Sequence, residues 1–324
     1  MKKLITLIIF ISLTTGLFAL PNLLKKEDFG ANAIDNIEVN LSWENIIVKE
    51  TYDNSAIEVE IYSNYKKYSP EVSVSGSTLY IDSVKKNFAF IDIAKNPTGT
   101  RCTVILYVPQ KKDFDEISIK TSSGEINVER ALSAKSLITL HSSSGDISSS
   151  KGLFADELKV EASSGDIELY NVDADELSVR ASSGDITVEK FTGGSGSLQA
   201  SSGDIKSNDF ASEYAQFHTS SGSIYVKKLD CDYFDAESTS GNITLDFVNS
   251  PAASSSVNST SGDVEIYLPM RAKFSMDVSC TSGIFRDKFN NNRMNPRNNY
   301  KMDYNGGGST IKVRTTSGDI TLEY

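Results

Sequence analysis

The feature that most constrains this chain is a short corner motif that returns at a nearly fixed interval. One copy reads Ser163-Ser164-Gly165-Asp166-Ile167. Its glycine recurs at positions 124, 145, 165, 184, 203, 222, 241, 262, 283 and 318, at steps of 19 to 21 residues and a final step of 35. A fixed period of this length is the mark of a repeat architecture, in which each unit packs on its neighbours.

Apolar and polar residues alternate on both sides of each glycine. Around Gly165 the apolar positions are Leu158, Val160 and Ala162 before the corner and Ile167 and Leu169 after it. A period of two is typical of β-strands, so each repeat contains two short strands. The odd step from Ala162 to Ile167 requires a turn or bulge, which glycine permits. The sequence therefore predicts an all-β parallel β-solenoid with coils of 19–21 residues. A β-hairpin array is the competing interpretation.

Phase and composition divide the chain into four sections. Residues 1–19 have a basic start, an apolar run and Ala19 as a cleavage point, which predicts a signal peptide. An uncleaved anchor helix is the alternative. Residues 20–36 are a polar leader, and residues 37–110 form a less regular N-terminal β section or cap with Glu44 in a glycine slot. Residues 111–324 are the regular solenoid, interrupted by an Asn-rich basic loop at 284–310. Whether residues 37–110 form a separate domain is left open.

The charge of the chain limits its partners. The formal net charge is -11 at pH 7. A surface this acidic argues against nucleic acid and anionic membranes as partners. The signal peptide predicts export to the periplasm, the cell surface or the extracellular medium.

The serial coils and their ending carry a resemblance to a known family. The last coil reads Thr315-Thr316-Ser317-Gly318-Asp319-Ile320-Thr321-Leu322 and follows a Gly-rich break. This pattern resembles a bacterial envelope family called putative adhesin, a domain of unknown function, over about residues 34–324. The resemblance implies a β-solenoid and surface attachment, and it brings no catalytic or ligand-binding residues with it.

The residue after each corner glycine forms a row that is mostly acidic. Asp146, Asp166, Asp185 and Asp204 stand in consecutive coils. Stacked about 5 Å apart, their carboxylates repel one another. Hydrogen bonds from the corner serines and backbone N–H groups would offset that repulsion, which is the structural interpretation. Ca²⁺ ions between adjacent carboxylates are the functional alternative.

Other candidate residues are few. The loop at 284–310 carries Arg286, Lys288, Arg293, Arg297 and Lys301. They are candidate contacts for an anionic partner such as envelope polysaccharide, or for another copy of the chain. His141 and His218 are four coils apart and outward, so they cannot share a metal or a catalytic centre. We find no catalytic residue, no cofactor motif and no row of aromatic residues that would offer a platform for sugars.

We therefore expect an exported, non-catalytic protein of the bacterial cell envelope. The first hypothesis is an adhesin-like protein that binds or displays, with an unknown polysaccharide or protein as its ligand. The alternative is a periplasmic scaffold that self-associates through its terminal coil, because an open strand edge at Thr321 to Tyr324 invites pairing. A carbohydrate-active enzyme is a second alternative, and it would need a cleft for which the sequence gives no sign.

Overall fold

The computed structural model describes residues 22–64, 68–84, 101–295 and 299–324. These residues form β-strands and one 3₁₀ turn, Ala31–Ala33. The predicted signal peptide and Arg297 lie outside the described residues. No helix in the described part of the chain is long and apolar enough to cross a bilayer.

The strands fall into three groups along the chain. The N-terminal strands are β1 (Asn22–Gly30), β2 (Asn36–Asn40), β3 (Asn45–Thr51), β4 (Ala56–Ser63), β5 (Glu71–Ser75), β6 (Thr78–Asp82) and β7 (Cys102–Pro109). The array contains β8 (Phe114–Thr121), β9 (Ile126–Val128), β10 (Leu132–Ser142), β11 (Ile147–Ser149), β12 (Leu153–Ala162), β13 (Ile167–Ala181), β14 (Ile186–Ala200), β15 (Ile205–Thr219), β16 (Ile224–Ser238), β17 (Ile243–Phe247), β18 (Ser255–Ser259) and β19 (Val264–Tyr267). The C-terminal strands are β20 (Phe274–Ser282), β21 (Phe285–Asp287), β22 (Asn292–Met294), β23 (Tyr300–Tyr304), β24 (Thr310–Ser317) and β25 (Ile320–Glu323).

The array is the predicted parallel solenoid, with like residues stacked in rows. Ile167, Ile186, Ile205 and Ile224 pair one above the other, each one coil after the last. All four side chains are buried. Stacking of this kind buries apolar residues that a single coil could not cover.

The predicted pair of strands is joined end to end in the central coils. The strands β13 to β16 are each 15 residues long and run from one corner to the next. The strand pairing continues through the middle of the coil, where Asn171 stacks on Lys190. Neighbouring coils bend at the same place, so the ladder between them continues around the bend.

The corner glycines are needed for a reason other than the predicted backbone freedom. Positive φ angles among the described glycines occur at Gly76, Gly306 and Gly307, none of which is a corner. A Cβ built on Gly184 would instead lie 2.0 Å from the carbonyl oxygen of Gly165 one coil earlier. The corners stack so closely that only glycine fits between them.

The core combines aliphatic rows with a local aromatic cluster. Phe191, Phe210 and Phe217 are fully buried, and adjacent ring centroids lie 4.8 and 5.0 Å apart. Gly196 makes room for two of them, since a Cβ there would lie 2.4 Å from Phe210 and 2.6 Å from Phe191. The small residue in one inward row thus makes room for large rings in the neighbouring row, and the core stays densely packed.

The N-terminal section stacks directly on the array. Ile37 of β2 pairs with Ile117 of β8, and Ile46 of β3 pairs with Ile126 of β9. The strands β6 and β7 lie on the other side of β2 and β3. Antiparallel strands follow them, with β5 on β6, β4 on β7, and β1 on β4.

The described part of the polar leader contains a β-strand. Strand β1 lies within residues 20–36 and pairs with β4 over its length. Glu27 stacks opposite Val59, and Lys26 forms an ion pair with Glu58 at 2.6 Å. A polar strand suffices here because β1 lies at the end of the sheet, where much of it faces solvent.

The C-terminal coils are stacked out of chain order. Strands β24 and β25, the last coil of the chain, lie between β18 and β19 on one side and β20 and β21 on the other. Ile320, for example, pairs with both Val264 and Phe285. We call residues 310–323 the inserted coil. The expectation that Thr321 to Tyr324 leave an open edge was therefore wrong, because β25 is paired on both sides.

The predicted loop at 284–310 is also more ordered than expected. It contains β21 and two antiparallel strands, β22 on β21 and β23 on β20. Phe274 and Tyr304 stack with ring centroids 4.5 Å apart. These strands cover the end coil, so the break in the repeat forms a C-terminal cap.

Candidate binding surfaces

Each coil exposes two faces that meet at the corner. The upstream face consists of the outward residues of the strand before the corner, such as Lys159 and Glu161 in β12. The downstream face consists of the outward residues after it, such as Glu168 and Tyr170 in β13. Because equivalent residues stack coil on coil, every outward position becomes a row along the solenoid.

The row of corner acids is held by the backbone of the next coil. Asp146 Oδ1 accepts the backbone N–H of Asp166 at 2.9 Å, and Asp166 Oδ1 accepts that of Asp185 at 2.8 Å. The same bond joins Asp185 to Asp204 at 2.8 Å and Asp204 to Ser223 at 2.9 Å. A charged acceptor on a backbone N–H offsets the repulsion between stacked carboxylates.

A lysine further reduces the repulsion within this row. Lys206 Nζ lies 3.5 Å from Asp185 Oδ2 and 3.3 Å from Asp204 Oδ2. Partial burial opposes the charged form of Lys206, but the hydrogen bonds that its ammonium donates to both carboxylates, together with their negative charge, raise its pKa. No three His, Cys, Asp or Glu side chains of the described residues converge as a metal site would require. The geometry of the row is explained without a cation, and calcium at Asp146, Asp166, Asp185 and Asp204 stays a prediction from sequence.

Buried hydroxyls hold the corners from the inside. Gly145 N–H donates to Ser142 Oγ at 2.9 Å, and that hydroxyl donates to the carbonyl of Gly124 at 3.0 Å. Thr219 and Ser238 make the same two bonds in their own coils. The residues that satisfy the corner backbone with buried hydroxyls are the inward ones three positions before the glycine.

The two histidines lie apart, as predicted. His141 Nδ1 is 3.6 Å from Glu161, and His218 Nδ1 is 3.4 Å from Glu237. Both belong to one row of the upstream face, in which Arg180 also contacts Glu161 at 3.5 Å. In this row each histidine thus lies beside a glutamate, and Arg180 shares Glu161 with His141.

The first coil contains a buried carboxylate that sequence reasoning left unexplained. Glu44 is fully buried, and its Oε2 accepts the backbone N–H groups of Ser42 and Trp43, both at 2.9 Å. Ser83 Oγ donates to both carboxylate oxygens at 2.9 and 3.0 Å, and Tyr68 also donates a hydrogen bond. Burial and this bond raise the pKa of Tyr68.

This carboxylate accepts bonds that a neighbouring corner accepts in later coils. In later coils the corner N–H groups donate to the preceding corner, as Ser164 does to Ser143 at 3.1 Å. In the coil of β2 and β3, the side chain of Glu44 accepts the equivalent bonds from Ser42 and Trp43. A charged residue in a glycine slot was the available sequence signal. Because Glu44 is shielded from solvent and bonded to backbone groups, we assign it to the stability of this corner.

The basic residues of the predicted loop are largely paired within the chain. Arg286 lies 2.7 Å from Asp319, Lys301 lies 3.7 Å from Asp277, and Lys288 pairs with Glu323. Arg293 lies opposite Arg286 in the backbone register of the antiparallel strands β21 and β22. These contacts bring the candidate residues to the C-terminal cap and reduce the charge that they offer to a partner.

Two tyrosines stand in register on the upstream face, against the expectation of no aromatic row. Tyr214 and Tyr233 occupy one row of the upstream face and stack with centroids 5.1 Å apart and an interplanar angle of 16°. On the downstream face Tyr170 is 59% exposed. The 19-residue offset between Tyr214 and Tyr233 was the signal in the sequence.

A groove crosses the downstream face beside Tyr170. Its larger part, with a volume of about 440 Å³, is lined by Ser148, Ser150, Glu168, Tyr170, Thr187 and Glu189. Its smaller part, about 260 Å³, is lined by Glu125, Asn127, Asp146, Ser148, Asp166 and Glu168. Ser148 and Glu168 belong to both parts, so we treat them as one feature, the downstream groove.

One family of known proteins matches most of the chain. The model of the Toastrack DUF4097 family matches residues 34–209 and again residues 150–323. No curated protein matches the sequence of the chain.

Several solved structures are similar to the chain at low identity. A putative adhesin from Parabacteroides distasonis is 13% identical, with 93% of this chain and 97% of that chain covered and a TM-score of 0.47. A putative adhesin from Parabacteroides merdae is 10% identical, with 93% and 96% covered and a TM-score of 0.46. A protein from Parabacteroides distasonis named as a putative lipid binding protein is 19% identical, with 93% and 96% covered and a TM-score of 0.35. None of these likenesses transfers a ligand to this chain.

Proposed function

Because the chain belongs to the Toastrack DUF4097 family, we propose that it is an exported, non-catalytic binding protein of the bacterial cell envelope. Its role is adhesin-like, and its long lateral faces meet the ligand. The observation that supports this most is the contrast between ends and sides. Antiparallel strands cover both ends of the stack, whereas the upstream and downstream faces present polar rows along several coils.

The way polar groups are used favours binding over catalysis. The buried carboxylate of Glu44 and the buried hydroxyls of Ser142, Thr219 and Ser238 are committed to backbone groups. The downstream groove is shallow and open, and His141 and His218 face other residues in separate coils. A hydrolase or lyase would need acid and base groups that converge on one enclosed substrate.

The scaffold hypothesis loses the feature that motivated it. Strand β25 is covered by β19 and β21, so the terminal coil offers no open edge for end-to-end assembly. No other observation favours assembly over binding. We therefore keep the adhesin-like function as the single proposal.

Export and exposure are tested on intact cells. A tagged full-length chain is produced in its own host, and the cells are treated with protease beside a periplasmic control protein. Loss of the tagged protein while the control survives would support display at the surface, and binding assays on whole cells would follow. Protection of both proteins, or retention of the chain in the cytoplasm, would contradict a role in surface attachment.

A further inference from the structure

The downstream groove exists because one coil has small outward residues where its neighbours have large ones. Strand β11 and the residue that follows it present Ser148 and Ser150. Asn127 and Glu129 flank them in the coil before, and Glu168 and Tyr170 flank them in the coil after. Ser148 Oγ lies 3.3 Å from Asn127 Oδ1. The serines form a low strip between two taller rows.

The floor of the groove has polar groups that are open to a partner. Ser148 and Thr187 point outward and are half-buried at this floor. Ser150 is exposed at the groove itself. A polar occupant suits such a floor better than an apolar one, because unpaired polar groups are costly to cover.

The walls of the groove combine one aromatic ring with carboxylates. Tyr170 stands at the side, and the lining contains five carboxylates and no basic residue of the described chain. Asp146 and Asp166 each use one oxygen on a backbone N–H, and Glu189 accepts the amide of Asn208 at 2.6 Å. The remaining oxygens are acceptors, so they favour a ligand that brings hydroxyl or ammonium donors.

We propose that the downstream groove binds a short oligosaccharide that carries amino sugars. The C–H face of one ring stacks on Tyr170, as aromatic side chains present an apolar face beside a polar edge. Its hydroxyls meet Ser148, Ser150 and Thr187, and its ammonium groups meet the carboxylates. The groove spans coils from Glu125 to Glu189, or about 14 Å at the spacing between strands. This length exceeds a single sugar ring.

The inference rests on the proposed function and names a ligand class for it. It also predicts a selectivity. Anionic sugars are repelled by the carboxylates, and neutral sugars of the same length lose the ionic contribution. A flexible polyamine keeps the charge and loses the stacking on Tyr170.

The test is a calorimetric titration of the purified full-length chain, without its signal peptide if cleaved, with a glucosamine trisaccharide at pH 6. At this pH carboxyl groups of ordinary pKa are ionised. The comparison ligands are the N-acetylglucosamine trisaccharide, a galacturonic acid trisaccharide and spermidine. We expect the glucosamine trisaccharide to bind most tightly, with an affinity that falls as salt is added.

Two variants assign that binding to the groove. Tyr170→Ala should weaken it by roughly tenfold, the equivalent of one lost stacking contact. The matched control is Tyr225→Ala, which removes another exposed tyrosine of the downstream face outside the groove, and it should leave the affinity unchanged. The double variant Glu168→Gln, Glu189→Gln should reduce the preference for the glucosamine over the N-acetylglucosamine ligand.

Three results would overturn the inference. They are no binding of the glucosamine trisaccharide at millimolar concentration, equal binding of spermidine that Tyr170→Ala does not change, and preference for the galacturonic acid ligand. Because the titration uses purified protein, it does not depend on where the chain lies in the cell. If the trisaccharide does not bind but the chain is displayed at the cell surface, the groove is not the binding site and the proposed function still stands.

Discussion

At each corner of the array, the glycine lies against the carbonyl of the glycine one coil earlier. The gap is too small for a methyl group, with 1.9 Å between a built Cβ on Gly203 and the oxygen of Gly184. The corner therefore sets the distance between coils as well as the path of each coil. A side chain here would push two coils apart at a place where the ladder of hydrogen bonds continues on both sides.

Gly203→Ala should be strongly destabilising for this steric reason. We expect a loss of about 2–4 kcal/mol in the free energy of unfolding, at the upper end of overpacking effects. Urea denaturation followed by circular dichroism measures it. Gly30→Ala is the matched control, since a Cβ on Gly30 has no atom within 4 Å, and equal midpoints for the two variants would contradict the explanation.

The buried hydroxyl before the glycine gives a second prediction, in two directions. Ser142→Ala removes both the acceptor of Gly145 N–H and the donor to Gly124, and should cost about 1–3 kcal/mol. Ala181→Ser introduces the hydroxyl in a coil that has alanine at this position, and should stabilise by about 0.5–1.5 kcal/mol. Thermal melts of the two variants beside the unchanged protein measure the sign, and destabilisation by Ala181→Ser would contradict the role of the hydroxyl.

At the scale of single residues, the sequence predicted which residues lie at the corners and in the core better than it predicted why they are needed there. The period placed the glycine, the inward Ile167 and the outward Asp166 correctly. It could not show why glycine is needed there. The close contact joins two backbone segments 19 residues apart, and it exists only once the coils are stacked. Nor could the period assign Glu44, whose partners Tyr68 and Ser83 come from a section without a clear period.

The coils of the array stack in the order in which they occur along the chain. The inserted coil breaks this order, because it lies between two coils that precede it in the chain. Ile311, Val313, Ile320 and Leu322 of this coil are fully buried between earlier coils. Burial of four such side chains corresponds to about 6–12 kcal/mol before the entropy of ordering is subtracted. Ion pairs join the inserted coil to the cap, with Arg314 at 3.0 Å from Asp277 and Asp319 at 2.7 Å from Arg286.

Asp319 should make the C-terminal coils sensitive to acid. Its pKa is lowered, first by the backbone N–H of Ile284 and then by Arg286, against the opposing effect of burial. A carboxyl whose pKa is depressed by folding stabilises the protein above its unfolded pKa, and this contribution is lost as the pH falls through the folded pKa. Asp319→Asn should therefore lower the urea midpoint more at pH 6 than at pH 3.

The control for this prediction is Asp156→Asn, which changes an exposed carboxyl of the array. It should shift the midpoint little at either pH. An effect of Asp319→Asn that is the same at pH 6 and pH 3 would mean that the ion pair and the hydrogen bond do not depend on the charge.

The order of the last coils could not be predicted from the sequence. The 35-residue step and the Gly-rich stretch indicated an interruption, and the final motif indicated a further coil. Stacking in chain order and the observed stacking both place like residues in the same rows. The hydrophobic pattern therefore does not distinguish the two arrangements. The alternation in β22 and β23 is too short to show as strands beside so many asparagines.

At the scale of the whole molecule, the described chain is a stack with covered ends and accessible sides. Strands β1 and β5 lie at one end, and β22 and β23 lie at the other. Lys25 and Lys26 on β1 place charge on an outer strand, a common way to discourage edge pairing.

We therefore expect the purified chain to remain monomeric. Static light scattering should give a mass that does not change as protein concentration rises, in low and in moderate salt. The comparison is a variant with Lys25 and Lys26 replaced by Val, which leaves an apolar run at residues 23–26 of the outer strand and should associate. Growth of rods from the unchanged protein would contradict the closure of its ends.

The inserted coil also bears on synthesis, because a ribosome makes residues 274–287 before residues 310–323. The end coil and its cap therefore have no completed neighbour until the last part of the chain emerges. A chain cut short before residue 310 leaves two unpaired strand edges, one on β18 and β19 and one on β20 and β21. Such edges are what proteases and chaperones recognise in unfinished proteins, so the arrangement makes completion of the chain a condition for its survival.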